Sequence, residues 1–309
     1  MSTSVFIDGA VGTTGLEIRE RLSGRDDVSL LVLDDARRKD ASARRAALND
    51  ADIVILCLPD DAARDAVAMI DNATTRVIDA STAHRVADGW TYGFAELEPD
   101  QAARIAQARF VANPGCYPTG FLALVRPLVR AGLLPADALV TVNATSGYSG
   151  GGKSMIAEFE GGAATTAFRP YALALGHKHV PEMTRHSGLS HGPVFQPAVA
   201  NTYRGMVVEV PLHLAQLSPG ADQHGVEQAL RDAYAACDLV RVSTDAPATI
   251  AIEDDAGTDR MTLHVFGNAD LRQLRLVATL DNLGKGAAGA AVQNLNLMAG
   301  LHPLAGLAR

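Results

Sequence analysis

Ser4–Asp8 is a short apolar run, and Gly9-Ala10-Val11-Gly12-Thr13-Thr14-Gly15 follows it, opening what reads as a helix over Thr13–Leu22. A strand, a G-x-x-G-x-x-G loop and a helix in that order confine the start of the chain to a βαβ unit. Glycines there permit a tight turn and let the backbone approach a pyrophosphate, whose charge then rests on the helix N-terminus. The alternation continues. Val28–Leu33 is nearly continuous aliphatic, as suits a strand buried on both faces of a parallel sheet. Ala41–Asn49 reads as a helix, Asp52–Leu58 as a strand, Asp60–Ile70 as a helix, and Arg76–Asp79 and Arg109–Ala112 as further strands. Short connections between such elements imply right-handed crossovers.

After about residue 115 the rhythm changes. Phe121–Arg130 reads as a helix, Ala138–Ala144 as a strand, and 192–217 and 261–280 as longer β-rich runs, with Val226–Ala236 a helix on one face. The fold class predicted is α/β: a Rossmann-type parallel-sheet domain over 1–115, followed by an α+β domain over 116–285 with a mixed, mostly antiparallel sheet. The Ala-rich helix Ala287–Met298 packs back on the first domain, which 286–309 completes.

Composition agrees with two domains. At 309 residues, 48% hydrophobic and 20% charged, the chain can build normal cores, and global disorder is excluded. The 28 glycines and 5% aromatic content lean toward α/β packing with many tight turns. A net charge of −8 argues against a nucleic-acid partner, which selects a basic face. No apolar run reaches the roughly 18 residues of a membrane span. The N-terminus shows no secretory pattern, so a cytoplasmic location is expected. Three cysteines do not make a disulfide framework.

Two signals disagree on the dinucleotide. Asp34 and Asp35 lie 19 and 20 residues after Gly15, where an acid bonds the ribose of NAD. Arg37, Arg38 and Lys39 follow at once, and guanidinium groups there suit the 2′-phosphate of NADP. The residues alone leave both open, with a slight lean to NADP.

Cys57 and Cys237 sit in apolar settings and read as small buried hydrophobes. Cys116 stands apart, in Asn113-Pro114-Gly115-Cys116-Tyr117-Pro118-Thr119-Gly120. That strand-to-helix turn puts the sulfur at a helix N-terminus, where the dipole and free N–H groups favour thiolate. A thiolate beside a nicotinamide points to a thioester intermediate and hydride transfer. The chemistry requires an acid/base, and His177-Lys178-His179-Val180-Pro181-Glu182 is the dense titratable cluster of the second domain. Either histidine fits, with Glu182 to orient it. The same spacing also admits a metal, but lacks further His or Cys ligands nearby, so none is expected. Gly147-Tyr148-Ser149-Gly150-Gly151-Gly152-Lys153-Ser154 matches the nucleotide P-loop pattern. It lies outside the βαβ region and lacks a magnesium-binding acid downstream. An anion cradle of glycine amides and Lys153 is the reading it supports better.

These residues resemble the N-acetyl-gamma-glutamyl-phosphate reductases of arginine biosynthesis, grouped with the aspartate-semialdehyde dehydrogenases. The strongest element is Asn113–Gly120, with Pro-Gly-Cys rather than the Pro-Asn-Cys turn of the semialdehyde dehydrogenases. Gly9–Gly15, Ile78–Arg85, Tyr92–Leu97, Thr145–Gly152, His177–Glu182 and Asp281–Gly286 support it, and 309 residues suits the shorter of the family's two classes. The resemblance implies NADPH as reductant, N-acetyl-L-glutamyl 5-phosphate as substrate, and the 5-semialdehyde plus phosphate as products. Another acyl phosphate such as aspartyl phosphate is the alternative. Cys116 would attack the acyl phosphate, and His179, less readily His177, would move the proton. The resemblance further assigns Gly9, Gly12, Thr13, Thr14, Gly15, Arg37, Arg38, Pro59, Ser81, Asn282, Lys285 and Gly286 to the cofactor. To the substrate it assigns Arg85, Asn113, Ser146, Gly147 and Lys153. A homo-oligomer, dimer or tetramer, is expected. Ser81-Thr82-Ala83-His84-Arg85 departs from the Ser-Ala-Asp-Phe-Arg of the long class, and His84 is read as a surface histidine.

Overall fold

A computed structural model describes residues 2–34 and 36–309. The chain forms two compact units, one running through Pro114 and rejoined by Ala287–Leu307, the other comprising Gly115–Gly286 with Ala308–Arg309.

In the first unit, β1 (Thr3–Asp8), β2 (Val28–Leu31), β3 (Ile53–Leu56), β4 (Arg76–Asp79), β5 (Thr91–Tyr92) and β6 (Phe110–Ala112) make one sheet in the order β2-β1-β3-β4-β6-β5. Every pairing is parallel. Alternate residues feed two cores, because successive side chains of a strand point to opposite faces. Val5, Ile7, Ile53, Ile55 and Ile78 pack with Ile18 of α1 (Thr13–Leu22) and with the C-terminal helix Gly289–Met298. Phe6, Val54, Leu56 and Val77 pack with Leu48 of α2 (Ala41–Asp50) and Ala63 of α3 (Asp60–Ala68). Each fully buried aliphatic side chain contributes about 1.5–3 kcal/mol. α4 (Gln101–Gln107) adds Ile105 to the first core. From β1 the chain goes to β2 on one side and then to β3 on the other. The carboxyl ends of β1 and β3 therefore form a switch point, where open α/β sheets bind ligands.

In the second unit, α5 (Cys116–Arg130) leads into β7 (Thr141–Gly147) and α6 (Gly152–Glu160). There follow β8 (Phe168–Pro170), α7 (Val180–Ser187), β9 (Val194–Ala200), β10 (Met206–His213) and α8 (Gln223–Tyr234). β11 (Val240–Val242), β12 (Met261–Asn268) and β13 (Gln273–Leu280) complete a seven-stranded sheet, ordered β11-β12-β13-β10-β7-β9-β8. The sheet is mixed: β11–β12 and β7–β9 are parallel, the other four pairings antiparallel. Met206, Val208, Val210 and Leu212 are buried on one face, and Val207, Glu209, Pro211 and His213 are half-buried or exposed on the other. The last helix, Gly289–Met298, is α9 and belongs to the first unit.

Several boundaries differ from expectation by a few residues, and two of them have a clear physical reason. α5 begins at Cys116, five residues before the apolar period suggests, because Pro118 is tolerated in a first turn where no N–H partner is needed. β7 runs Thr141–Gly147 rather than Ala138–Ala144, since Thr141, Asn143 and Thr145 lie on the half-buried face and hide the strand from an apolar reading. Among the described residues no helix is long and apolar enough to cross a membrane.

Candidate active site

Cys116 is the first residue of α5, with Gly115 at the N-cap in extended conformation and no side chain capping the helix. The Gly115 N–H donates to Oε1 of Glu182 at 2.8 Å, a carboxylate only 1% exposed. One turn on, Thr119 donates its hydroxyl to the Gly115 carbonyl at 2.8 Å. The residue before the sulfur is thus held through both its N–H and its C=O. Partial positive charge at the helix start favours an anion at Cys116. Gly286 makes room for it: a Cβ there would lie 2.8 Å from the Cys116 Cβ.

The expected histidine cluster is assembled by α7. His179 caps its start and is buried, and the His177 and His179 ring centroids are 4.7 Å apart. His177 Nδ1 accepts the His179 backbone N–H at 3.1 Å. Burial, with the Lys178 charge adding, pushes His177 down to about 4. Its ring meets Phe195, Tyr171 and Tyr117 edge-on at 5.0, 5.7 and 6.2 Å. Tyr117, next to the cysteine, lies 5.9 Å from the His179 ring and donates its hydroxyl to the Ala198 carbonyl at 3.1 Å. Tyr171 donates to the Tyr117 hydroxyl at 3.3 Å. Burial raises Tyr117 well above the usual phenol range, with the charges of Tyr171 and Cys116 adding. Burial, partly offset by its bond to Tyr117, pushes Tyr171 up to about 12. Both phenols therefore stay neutral donors. Sequence reasoning missed Tyr171, which follows a loop without periodicity; only its nearness to the His177 cluster hinted at it.

The Gly147–Ser154 segment does not form a phosphate cradle at its start. The N–H groups of Gly147, Tyr148 and Ser149 donate to the carbonyls of Gly205, Thr202 and Tyr203 at 2.9, 2.9 and 3.1 Å. Residues Tyr148–Gly151 wind into a 3-10 turn, and Lys153 is exposed on α6. A Cβ at Gly147 would lie 2.8 Å from two carbonyl oxygens, so that glycine serves close backbone packing. Ser146 is buried, and its hydroxyl donates to the Gly147 carbonyl at 3.0 Å. Asn282 is internal too: its amide donates to Ser149 Oγ at 2.9 Å, and its oxygen accepts the Gly205 N–H at 3.0 Å. Lys285 is fully buried. Among the described residues no group of three or more His, Cys, Asp or Glu is arranged to hold a metal.

In the first unit the glycine loop leaves β1 at the switch point. Gly9 has φ +90°, and a Cβ there would lie 2.3 Å from the Cys57 carbonyl oxygen that follows β3. A Cβ at Gly15 would lie 2.5 Å from the Gly9 oxygen. Gly12 caps α1 with no side-chain bond, leaving first-turn N–H groups at Thr13 and Thr14 for a ligand. Beside the loop lies a cavity of about 700 Å³, lined by Ile7–Val11, Leu30–Asp34, Leu58, Arg38, Lys39 and Arg44 among others. The open glycine backbone and these cations fit a phosphate-bearing dinucleotide. Arg38 lines the cavity; Arg37 is exposed and does not. Asp34 Oδ1 accepts the Arg37 N–H at 2.8 Å. Asp35, the other expected acid, lies outside the described residues. Pro59 caps α3 next to Leu58.

Asp79, at the end of β4, is fully buried and organises the next segment. It accepts from Ser81 N–H at 2.9 Å and Ser81 Oγ at 2.7 Å, and lies 2.6 Å from His84 Nδ1. His84 is not a surface residue: its ring stacks on Trp90 with centroids 4.0 Å apart. Adjacent Asp79 is what draws it in. Arg85 is buried and donates to the carbonyls of Asn113 and Ala80 at 2.9 and 3.1 Å. The Asn113 amide donates to the Ala287 carbonyl at 3.0 Å, and its oxygen accepts from Asn294 at 3.0 Å. Cys57 and Cys237 are partly rather than fully buried. Burial, with the Asp79 and Asp8 carboxylates adding, pushes the Cys57 thiol up to about 12.

Two family models match the chain: "Semialdehyde dehydrogenase, NAD binding domain" over residues 4–105, and "Semialdehyde dehydrogenase, dimerisation domain" over 116–282. The dinucleotide site is therefore that of a nicotinamide cofactor. Among solved structures, aspartate semialdehyde dehydrogenase II from Vibrio cholerae superposes with TM-score 0.76 at 20% identity, covering 96% of this chain and 98% of its own. The aspartate semialdehyde dehydrogenase from Francisella tularensis does so with TM-score 0.72 at 13% identity, covering 96% and 99%. These two share the fold. The sequence is much nearer to curated N-acetyl-gamma-glutamyl-phosphate reductases. That of Rhizobium johnstonii is 53% identical over 308 residues, 96% of this chain and 99% of the relative. That of Rhizobium meliloti is 53% identical over 307 residues, with the same coverage. On that identity, and with both halves matched, the chain belongs to the N-acetyl-gamma-glutamyl-phosphate reductase family of oxidoreductases, on the semialdehyde dehydrogenase fold.

Proposed function

We propose that the chain reduces N-acetyl-L-glutamyl 5-phosphate to N-acetyl-L-glutamate 5-semialdehyde and phosphate, the third step of arginine biosynthesis from glutamate. The observation that carries the reading is Cys116 at the first position of α5, its turn held by Glu182 and Thr119, with the next residue, Tyr117, meeting the rings of His177 and His179 and the hydroxyl of Tyr171. In this reading Cys116 Sγ attacks the acyl carbon, the C–O bond to phosphate breaks, and a thioester forms on the sulfur. A nicotinamide cofactor, held by the Gly9–Gly15 loop, would be the source of hydride for that carbon. The adduct then collapses to aldehyde, and the C–S electron pair returns to Cys116 as thiolate.

His179 is the proposed acid/base. His177, pushed down to about 4, is a neutral imidazole near pH 7 and so a poor proton donor, and its Nδ1 is occupied by the His179 N–H. Such proton transfer contributes about 10²–10⁴-fold. Glu182 positions the nucleophile through Gly115. NADP is the proposed cofactor, because Arg19, Arg38, Lys39 and Arg44 line the cavity against Asp8 and Asp34. Gly9–Gly15 and Ser81 would shape its binding surface, with Pro59, Asn282, Lys285 and Gly286 supporting it. Ser146, Gly147, Lys153, Arg85 and Asn113 are proposed for the substrate side. For Ser146, Gly147, Arg85 and Asn113 that role is positional, since the described bonds of all four are internal. A cytoplasmic homo-oligomer, dimer or tetramer, completes the proposal. It is supported by the family description of residues 116–282 and by the partly open face of their sheet.

The test is turnover in reverse. Purified protein with N-acetylglutamate semialdehyde, phosphate and NADP should form NADPH only when phosphate is present. Activity with aspartate semialdehyde and none with the acetylated substrate would move the reading to another acyl phosphate.

A further inference from the structure

The cavity beside β1 contains a cation that sequence reasoning did not single out. Arg44, on α2, reaches to the end of β1, where its Nε and Nη2 donate to Oδ2 of Asp8 at 3.2 and 2.6 Å. Both residues line the cavity, and Asp8 is 6% exposed, immediately before Gly9. A nearly buried carboxylate at the mouth of an anion-binding loop is unfavourable unless paired. Arg44 pairs it. A guanidinium has five N–H donors, so two on Asp8 leave three for a ligand.

The other charges of the cavity are arranged to match. Asp34, the acid placed to bond a ribose, has Oδ1 on the Arg37 N–H. Arg38 and Lys39 lie on an exposed 3-10 turn with no buried residue. Arg44 differs in being half-buried, and two bonds tie it to one oxygen of Asp8. A preorganised guanidinium loses little side-chain entropy on binding, and its planar fork suits phosphate oxygens.

Resting on the reading of this cavity as the adenosine end of an NADP site, we propose that Arg44 is a specificity-determining residue. Held in place by Asp8, it hydrogen-bonds the 2′-phosphomonoester that separates NADP from NAD. Its pairing has a second effect, since it keeps the Asp8 charge from repelling that phosphate.

Calorimetric titration of the full chain with adenosine 2′,5′-bisphosphate and with AMP tests this without turnover. The wild type should prefer the bisphosphate. Arg44→Ala should weaken bisphosphate binding by about 10–100-fold while AMP changes by less than about threefold. Asp8→Asn/Arg44→Ala leaves no unpaired carboxylate to endanger folding, and should keep the loss. Equal weakening of both ligands in Arg44→Ala, or wild-type preference in the double variant, overturns the assignment. A wild type indifferent to the 2′-phosphate would remove the NADP reading, and the proposal with it.

Discussion

Cys116, Cys57 and Cys237 are chemically identical side chains in three unlike environments. Only Cys116 begins a long helix; Cys57 is pushed up to about 12 by burial and two carboxylates. Iodoacetamide at neutral pH should therefore label Cys116 and spare Cys57, as read by peptide mass mapping. Cys116→Ser should abolish reductase turnover while nucleotide binding persists; wild-type turnover in that variant would remove the covalent step. His177 yields a pH prediction. Its value in the folded protein is about 4, below the ordinary 6.5, so the unfolded chain binds more protons between those values. Its contribution to stability is full above pH 6.5 and is lost as pH falls toward 4. His177→Phe should flatten the melting temperature across that window, and an unchanged slope would show that the ring protonates freely. The cysteine and the two histidines were legible as residues, because motif spacing marks them. The aromatic ring set around His177 was not, since Tyr117, Tyr171 and Phe195 meet only when separate elements fold together.

At the scale of elements, close backbone approach explains several glycines that a sequence shows only as turns. Gly286→Ala would place a Cβ 2.8 Å from that of Cys116. Displacing the nucleophile by a fraction of an ångström to 1 Å should lower kcat by up to about a hundredfold. The alkylation rate of Cys116 should shift with it, and unchanged values of both would show that the turn yields. Arg76 is a second case. From β4 it donates to the carbonyls of Ala106 and Ala108 at 2.7 and 2.6 Å, and to that of Met298, closing the ends of α4 and α9. Arg76→Met leaves those carbonyls without their donor and should destabilise the protein by about 2–3 kcal/mol in urea unfolding. A change below about 0.5 kcal/mol would mean water replaces the guanidinium. The P-loop resemblance of Gly147–Ser154 fails at this scale too. Its pattern is local, but the partners that take its amides, Thr202–Gly205, lie some fifty residues on.

For the whole molecule, ligand linkage is the readout. NADP at 100 times its Kd should stabilise the folded state by about 2.7 kcal/mol, and at equal concentration should raise the melting temperature more than NAD. The reverse order would contradict the NADP proposal. Light scattering should give a dimer or tetramer, and a monomer at micromolar concentration would remove the oligomer proposal. The sequence by itself determined the parallel α/β half, the mixed sheet of the second half, the glycine loop, Cys116 and the histidine pair. Each depends on residues near in sequence, through alternating apolar strands, turn glycines and a helix start. Tertiary structure alone decided which cations line the cavity, and that Tyr117, Tyr171 and Phe195 gather round His177. It also decided that Arg44 answers Asp8 across 36 residues. Such pairings follow from the distance between side chains in space, and that distance is set by packing rather than by chain order.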